Sequence, residues 1–296
     1  MKLAVVIVNW NATEDTESCI LSVRAWSSNQ LAELPTLWVV DNASEQPGIE
    51  RLIQQYPDIH FLRNPVNEGY AAANNRAITA ALDSGNDALL LLNNDARLDA
   101  SSVASMVAIL ASERRIGVVG PTIWNGEELL TSGGRDIARH KITHLRPSQP
   151  PTRLLDVDYV PGTAALVSRQ VFEAVGLLDE DYFFGGEMAD LCCRARQHGF
   201  RCVTDPGARA SHDLARSAEV RDKLHVYYVF RNRFLYVRKH HPRHKAWYYT
   251  VWTVRGAQAA MTAIVRGNVR QARTISLGVL DGLSGRFGGQ NERILG

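Results

Sequence analysis

Asp87-Ala88-Leu89-Leu90-Leu91-Leu92-Asn93-Asn94-Asp95 is the stretch on which the fold turns. Asp87–Leu92 reads as a strand that is apolar on both faces, as a central strand of a parallel sheet must be when helices cover it from two sides. Successive parallel strands need crossover connections, usually helical. The neighbouring sequence therefore has to alternate short apolar runs with helical patterns.

It does so in both directions. Upstream, Leu3–Val8 and Thr36–Val40 read as strands, and Ile59–Leu62 as a short one. Between them, Glu14–Ser27 places Cys19, Ile20, Val23 and Trp26 at helical spacing, and Ile49–Tyr56 is helical up to Pro57. Tyr70–Asp83 is an Ala-rich helix stopped by Ser84-Gly85. Downstream come a helix over Ser101–Ser112 and a strand over Ile116–Gly120. The expected fold class is α/β, a mostly parallel Rossmann-like sheet flanked by helices.

Beyond residue 120 the pattern loosens. Thr122–Thr143 reads as hairpins or loops and Pro147–Pro151 as a loop. Val157–Val160 and Thr163–Val167 read as strands, Arg169–Val175 as a short helix, and Glu187–His198 as a helix ended by Gly199. From Arg209 to Lys245 ten Lys/Arg face three Asp/Glu, interleaved with aromatic residues. Val220–His241 and Lys245–Val265 read as long helices. The expected division is a catalytic domain over 1–215 and a helical C-terminal extension over 216–296.

Composition narrows the class of function. With 296 residues, 45% hydrophobic, the chain can bury a large core. A formal charge of +2 gives no ground for nucleic-acid binding. Cys19, Cys192, Cys193 and Cys202 form no CxxC pair and read as buried free thiols. The opening apolar run ends at Asn9-Trp10-Asn11 without a small-residue cleavage site, so a buried strand is expected rather than a signal peptide. No apolar window is long enough to span a bilayer, and the expected location is cytoplasmic, either free or peripheral on the inner face of the cell membrane.

Polar residues cluster just past three strand ends, at Asn9, at Asp41 and at Asn93–Asp95. In open α/β sheets ligands bind outside those ends. Asp95, beside carboxamide oxygens, suits a hard divalent cation bridging protein and diphosphate, and equally suits a turn or helix cap. Asp41 can accept the imide N–H of uracil or thymine, or cap a helix. Asn64 through Asn75 brings Asn67, Gly69 and small residues to a helix start, where a ligand can approach backbone N–H groups; Asn74 and Asn75 interrupt an otherwise apolar helix. Glu187 and Asp190 share a face in the first turn of a helix that follows aromatic residues and paired glycines. A carboxylate there can take a proton from a hydroxyl, or simply favour the helix N-terminus. His212 is a metal-ligand candidate through a neutral ring nitrogen. The absence of GxGxxG and GxxxxGK[ST] speaks against dinucleotide and P-loop sites.

Taken in order, these segments resemble the family 2 inverting glycosyltransferases of GT-A fold, most of all their bacterial rhamnosyltransferase-type branch, from Val5 to about Pro242. Val6–Asn11 is similar to the family's opening strand and nucleotide loop, Val39–Ser44 to its base-binding strand end, and Asn64–Asn75 to its Asn-x-Gly-aromatic helix start. Asn93-Asn94-Asp95 sits where the family has its Asp-x-Asp metal motif. The resemblance implies transfer of a sugar from dTDP-rhamnose or a UDP-sugar to an acceptor hydroxyl in cell-surface glycan synthesis. It implies Mg²⁺ or Mn²⁺ on Asp95 and His212, and donor contacts at Asn9, Asn11, Asp41, Asn67, Gly69, Asn74, Asn93 and Asn94. It further implies a saccharide or lipid-linked saccharide acceptor. Ser217 and Arg231-Asn232 match further family positions without an assigned role. One departure stands out: where the family reads Glu-Asp-x-Asp, this chain has Glu187-Met188-Ala189-Asp190, so Glu187 or Asp190 has to serve as base. A non-catalytic sugar-nucleotide binder is the alternative. The basic aromatic C-terminal helices suit an anionic membrane surface, and equally a helical cap packed on the catalytic domain or a homodimer contact.

Overall fold

The computed structural model describes residues 1–26, 31, 33–45, 47–212 and 219–295. The first strand, β1 (Leu3–Asn9), leads into helix α1 (Thr13–Arg24); β2 (Thr36–Asp41), α2 (Ile49–Gln55), β3 (His60–Arg63), α3 (Gly69–Asp83) and β4 (Ala88–Asn93) follow. Next come β5 (Ala96–Leu98), α4 (Ala100–Ser112), β6 (Ile116–Asn125), β7 (Glu128–Thr131), β8 (Leu155–Asp156), β9 (Ala164–Ser168) and α5 (Arg169–Val175). The rest is α6 (Glu187–Gln197), β10 (Arg201–His212), α7 (Glu219–His240), α8 (Lys245–Val265), α9 (Val269–Ser284) and α10 (Asn291–Leu295).

Among the described residues the strands form one sheet in the order β3-β2-β1-β4-β9-β6-β10-β5, with β7 beside β6 and β8 beside β10. The half β3-β2-β1-β4 is parallel. Beyond it the sheet is mixed, because β9 runs antiparallel to both β4 and β6. Chain order runs outward from β1 through β2 to β3, then returns to the other side of β1 at β4. That reversal makes the carboxyl ends of β1 and β4 the crevice where α/β sheets take ligands.

Strand β4 shows why both its faces are apolar. Leu89 and Leu91 enter one core with α3, α6 and the C-terminal helices; Ala88, Leu90 and Leu92 enter the other with α1, α2 and α4. Every side chain from Ala88 to Leu92 is buried, as alternation on a pleated strand between two covered faces requires. Phe234, Leu235, Tyr236, Val237, Trp252 and Val279 belong to the first of these cores, so α7, α8 and α9 complete it. The expected boundary at 215/216 falls at residues outside the described ones.

Three strands of this sheet, β5, β8 and β10, lie outside the expected ones. β10 runs for twelve residues, but Pro206 and Gly207 interrupt its apolar pattern, and its register against β6 shifts between Asp205 and Arg209. Proline lacks the ladder N–H and is tolerated in strands chiefly at such irregularities. The expected strand over Val157–Val160 shrinks to a bridge: β8 ends at Asp156, Tyr159 forms an isolated bridge with Gly134, and Pro161 follows without a donor. The four cysteines are free, three of them buried. No helix of the described residues is long and apolar enough to cross a membrane.

Candidate active site

At the crevice the polar strand ends are tied to one another. Asn9 Nδ2 donates to Asp41 Oδ1 at 2.8 Å and to Ser44 Oγ at 3.0 Å, and Asn9 Oδ1 accepts from Thr16 Oγ at 2.8 Å. Asn94 Nδ2 donates to the same Thr16 hydroxyl at 3.1 Å. The ends of β2, β1 and β4 are thus joined by one chain of buried hydrogen bonds, which is how such groups avoid the cost of leaving water. Asn93 adds its backbone N–H to Thr163 O at 3.0 Å, drawing the Gly162 turn alongside.

The Asn-rich segment before α3 docks on the same rim. Asn42 Nδ2 donates to Asn67 Oδ1 at 2.8 Å, and Asn42 Oδ1 accepts from Asn64 Nδ2 at 2.8 Å and Glu68 N at 3.1 Å. Asn67 Oδ1 also accepts from Gly69 N at 2.9 Å. Gly69 has φ of +87°, and a Cβ there would lie 2.6 Å from the Phe183 carbonyl oxygen, so only glycine fits. That approach lets Tyr70 N donate to Phe183 O, bringing the loop before α6 against α3. Asn75 fixes the same loop from below, through Leu178 and Glu180. Asn74 is buried and bonds the carbonyl of Tyr70.

Beside this rim lies a cleft of about 1440 Å³. Asp41, Ser44, Arg63, Asn64 and Asn67 line one side, with Trp10 and Phe183 adjoining. Of the anticipated donor contacts, Asp41 and Asn67 face this cleft. Asn9, Asn11, Gly69, Asn74, Asn93 and Asn94 are not among its described lining residues and act on the frame around it. Asn11, with φ of +53°, holds Ser44 and Glu45 in place. Asn42 and Ser44 carry this frame without having been singled out in the sequence; their places within Asp41-Asn42-Ala43-Ser44 are the only local signal.

Asp95 and His212 meet because β5 pairs with the end of β10, His212 opposite Ala96. Their side chains approach to 3.3 Å, His212 Nε2 to Asp95 Oδ1, and both are largely buried. No set of three His, Cys, Asp or Glu side chains converges as a metal site among the described residues. A carboxylate and an imidazole nitrogen still fit Mg²⁺ or Mn²⁺, since such ions draw much of their shell from phosphate oxygens and water. Ser217 lies outside the described residues.

Glu187 and Asp190, expected to share one face, have opposite environments. Glu187 opens α6 and is buried, with Oε2 making no hydrogen bond among the described residues. Burial pushes its carboxyl up to about 7; its own N–H and that of Gly185 hold it down only in part. Asp190 is fully buried but surrounded by cations: Arg194 Nε at 2.7 Å, Lys239 Nζ at 2.5 Å and His240 Nε2 at 2.8 Å. Burial alone would raise it, yet the His240 bond and the charges of Arg194 and Lys239 outweigh that and hold it well below the usual carboxylate range. The same bond, against the effect of burial, raises His240 to about 9. Met188 is buried, beside Gly162.

Arg231 and Asn232, left without a role by sequence, fasten the loop ahead of Glu187. Arg231 is fully buried and donates to the carbonyls of Asp181 and Tyr182, both at 2.8 Å, and to that of Gly288. Asn232 donates to the carbonyls of Tyr182, Phe184 and Gly185. Five carbonyls that no sheet or helix could satisfy are met by two adjacent side chains of α7.

The pattern of the family described as glycosyl transferase family 2 matches residues 4–176. The low-salt glycan biosynthesis hexosyltransferase Agl10 of Haloferax volcanii is 27% identical over 79% of this chain and 74% of its own. The N-acetylglucosaminyl-diphospho-decaprenol L-rhamnosyltransferase of Mycobacterium tuberculosis is 24% identical over 95% of this chain and 98% of its own. Among solved structures, the mannosyltransferase PcManGT of Pyrobaculum calidifontis, in complex with GDP-Man and Mn²⁺, superposes with a TM-score of 0.58 at 14% identity, over 96% of this chain and 88% of that one. This is the GT-A fold. With its family pattern covering more than half its length, this chain belongs to glycosyl transferase family 2.

Proposed function

We propose that this family 2 glycosyltransferase moves a sugar, with inversion, from dTDP-rhamnose or a UDP-sugar to a hydroxyl of a saccharide or lipid-linked saccharide, with Glu187 as the base. The observation that carries this reading is Glu187 Oε2: buried, without a hydrogen-bond partner among the described residues, on a carboxyl raised to about 7. A general base works best with a pKa near the working pH. Asp190, held by three cations, is a poor proton acceptor and serves to fix α6 against α7. Met188, packed in the core, takes no proton.

Asp41 accepts the imide N–H of the base in the cleft it lines. Asp95 and His212 would hold Mg²⁺ or Mn²⁺, which supplies positive charge to the departing diphosphate. The hydroxyl loses its proton to Glu187 as its oxygen bonds the anomeric carbon. The bond from that carbon to the diphosphate breaks on the opposite face, and the donor's electron pair leaves with the nucleotide. A rhamnosyltransferase among the relatives is the ground for placing dTDP-rhamnose first.

A thermal-shift screen of sugar nucleotides with and without Mn²⁺, followed by assay of donor hydrolysis, tests this. A ligand that binds only the folded chain raises its melting temperature. Neither a shift nor hydrolysis with any donor would sink the proposal.

A peripheral contact with anionic lipid belongs to the same reading. Between Asp222 and Asp281 the sequence has eleven Lys or Arg and no acidic residue; Arg231 and Arg233 are buried and Lys239 is paired with Asp190, so the remaining cations are the ones for a surface. In that span Trp247, Val254, Met261 and Val265 of α8 are exposed. Basic helices with apolar side chains on the surface bind anionic membranes. Failure to sediment with anionic liposomes at low salt rules it out.

A further inference from the structure

The cleft that takes Asp41 on one side is closed on the other by the far end of the chain, where Gly289, Gln290 and Arg293 line it. We infer that residues 288–293 are part of the donor site and that Arg293 contacts the nucleoside diphosphate. This rests on reading the cleft as the donor site.

The segment is held in place by several independent contacts. Gly288 N donates to Asp181 O at 2.9 Å, and the buried Arg231 donates to Gly288 O. Gln290 N donates to the Tyr228 hydroxyl at 2.9 Å, and that hydroxyl donates to Asn291 Oδ1 at 2.9 Å. Gly289 lies so close to the Phe183 ring that a Cβ would come within 2.8 Å of it. The same ring also crowds Gly69 at the start of α3, where a Cβ would lie 2.6 Å away. The segment thus packs on the aromatic ring that α3 also bears on, and it is fastened by the same arginine that fixes the loop ahead of Glu187.

Both walls are polar. The sheet side carries Asp41, Glu45, Asn64 and Asn67, and its one cation there, Arg63, is already 3.0 Å from Glu50 and 3.9 Å from Asp41. The opposite wall brings the Gln290 amide, Asn291, the Glu292 carboxylate and the Arg293 guanidinium, which is the cation on that wall for a diphosphate. Arg293 approaches Asp281 at 3.3 Å and is 43% exposed, leaving N–H groups for a ligand. A guanidinium fork matches phosphate oxygens, and a site that buries most of its ligand needs polar groups on both walls. Asp281 keeps Tyr227, at 2.7 Å, and Arg286, at 3.5 Å, when Arg293 is replaced, so the substitution leaves no unpaired buried charge.

The test uses the full chain carrying Arg293→Ala, Arg293→Lys or Gln290→Ala. Binding of dTDP and UDP with Mn²⁺ is followed by calorimetry, beside the melting temperature without nucleotide. Arg293→Ala is expected to weaken nucleotide binding about tenfold, with Arg293→Lys recovering part of it and the nucleotide-free melting temperature unchanged. In turnover, donor KM rises by a similar factor while kcat changes little. Wild-type affinity in both alanine variants overturns the inference, as does a loss of affinity matched by a lower melting temperature and not restored by lysine. A wild-type chain that binds no nucleoside diphosphate overturns the donor reading itself.

Discussion

Replacing Glu187 by Gln should abolish transfer and yet stabilise the protein above neutral pH. Gln keeps the size and shape of the side chain but removes the ionisable carboxyl. Burial raises that carboxyl from 4.5 to about 7. At roughly 1.4 kcal/mol for each pH unit, the folded chain loses about 3 kcal/mol when Glu187 ionises. A carboxyl whose folded pKa is raised binds its proton more tightly in the folded state than in the unfolded one. The contribution of Glu187 to stability is therefore greatest below about 4.5, declines as pH rises from there to about 7, and is level above. Glu187→Gln escapes that decline. At pH 8 its melting temperature should exceed the wild type's by about 6 °C, taking roughly 2 °C per kcal/mol for a chain of this size; at pH 5 the two should nearly coincide. Scanning calorimetry at both pH values measures this. In parallel, wild-type kcat/KM should rise with an acid limb near pH 7, and the variant should lose about 10²-fold or more in kcat. Equal melting temperatures at pH 8, or a variant that still transfers sugar at the wild-type rate, would refute the reasoning.

Asp190→Asn should do the reverse. It leaves Arg194, Lys239 and His240 around a neutral amide, a loss of about 3–5 kcal/mol for a broken buried pair, read as a lower melting temperature at pH 7. Because the Asp190 carboxyl is depressed, its contribution is present above its ordinary 3.8 and drains away as pH falls through its lower folded value, so the gap to wild type should narrow at strongly acid pH. Gly69→Ala should raise donor KM and destabilise by about 1–3 kcal/mol, since its Cβ meets Phe183 O at φ of +87°; unaltered kinetics and unfolding would show that this contact is unimportant. Asp95→Asn should abolish the added thermal shift that Mn²⁺ gives with a nucleotide, and a shift of wild-type size would remove Asp95 from the metal site.

Local structure is legible where a residue's neighbours in the chain also report its surroundings. Leu89–Leu92 could be read as a doubly covered strand because pleat alternation is a property of the stretch itself. The pairing of β1, β2, β3 and β4 followed from their alternation with helices, and Asn9, Asp41 and Asn93 marked the strand ends. β10 was illegible because Pro206-Gly207 breaks its pattern, while its pairing comes from β6, some eighty residues away in sequence.

The sequence alone determined the α/β class, the family, and the residue types gathered at the sheet's rim. The tertiary structure alone separated Glu187 from Asp190: three residues apart in one helical turn, they differ because Lys239 and His240, on α7, reach only one of them. It also tied Asn9, Asn67, Asn74 and Asn94 into hydrogen bonds beside the cleft, gave Arg231 its five-carbonyl partnership with Asn232, and set residues 289–293 across the cleft from Asp41. Propensity and periodicity act within a few residues, whereas burial, charge pairing and hydrogen-bond satisfaction are settled by groups that only the folded chain brings within reach.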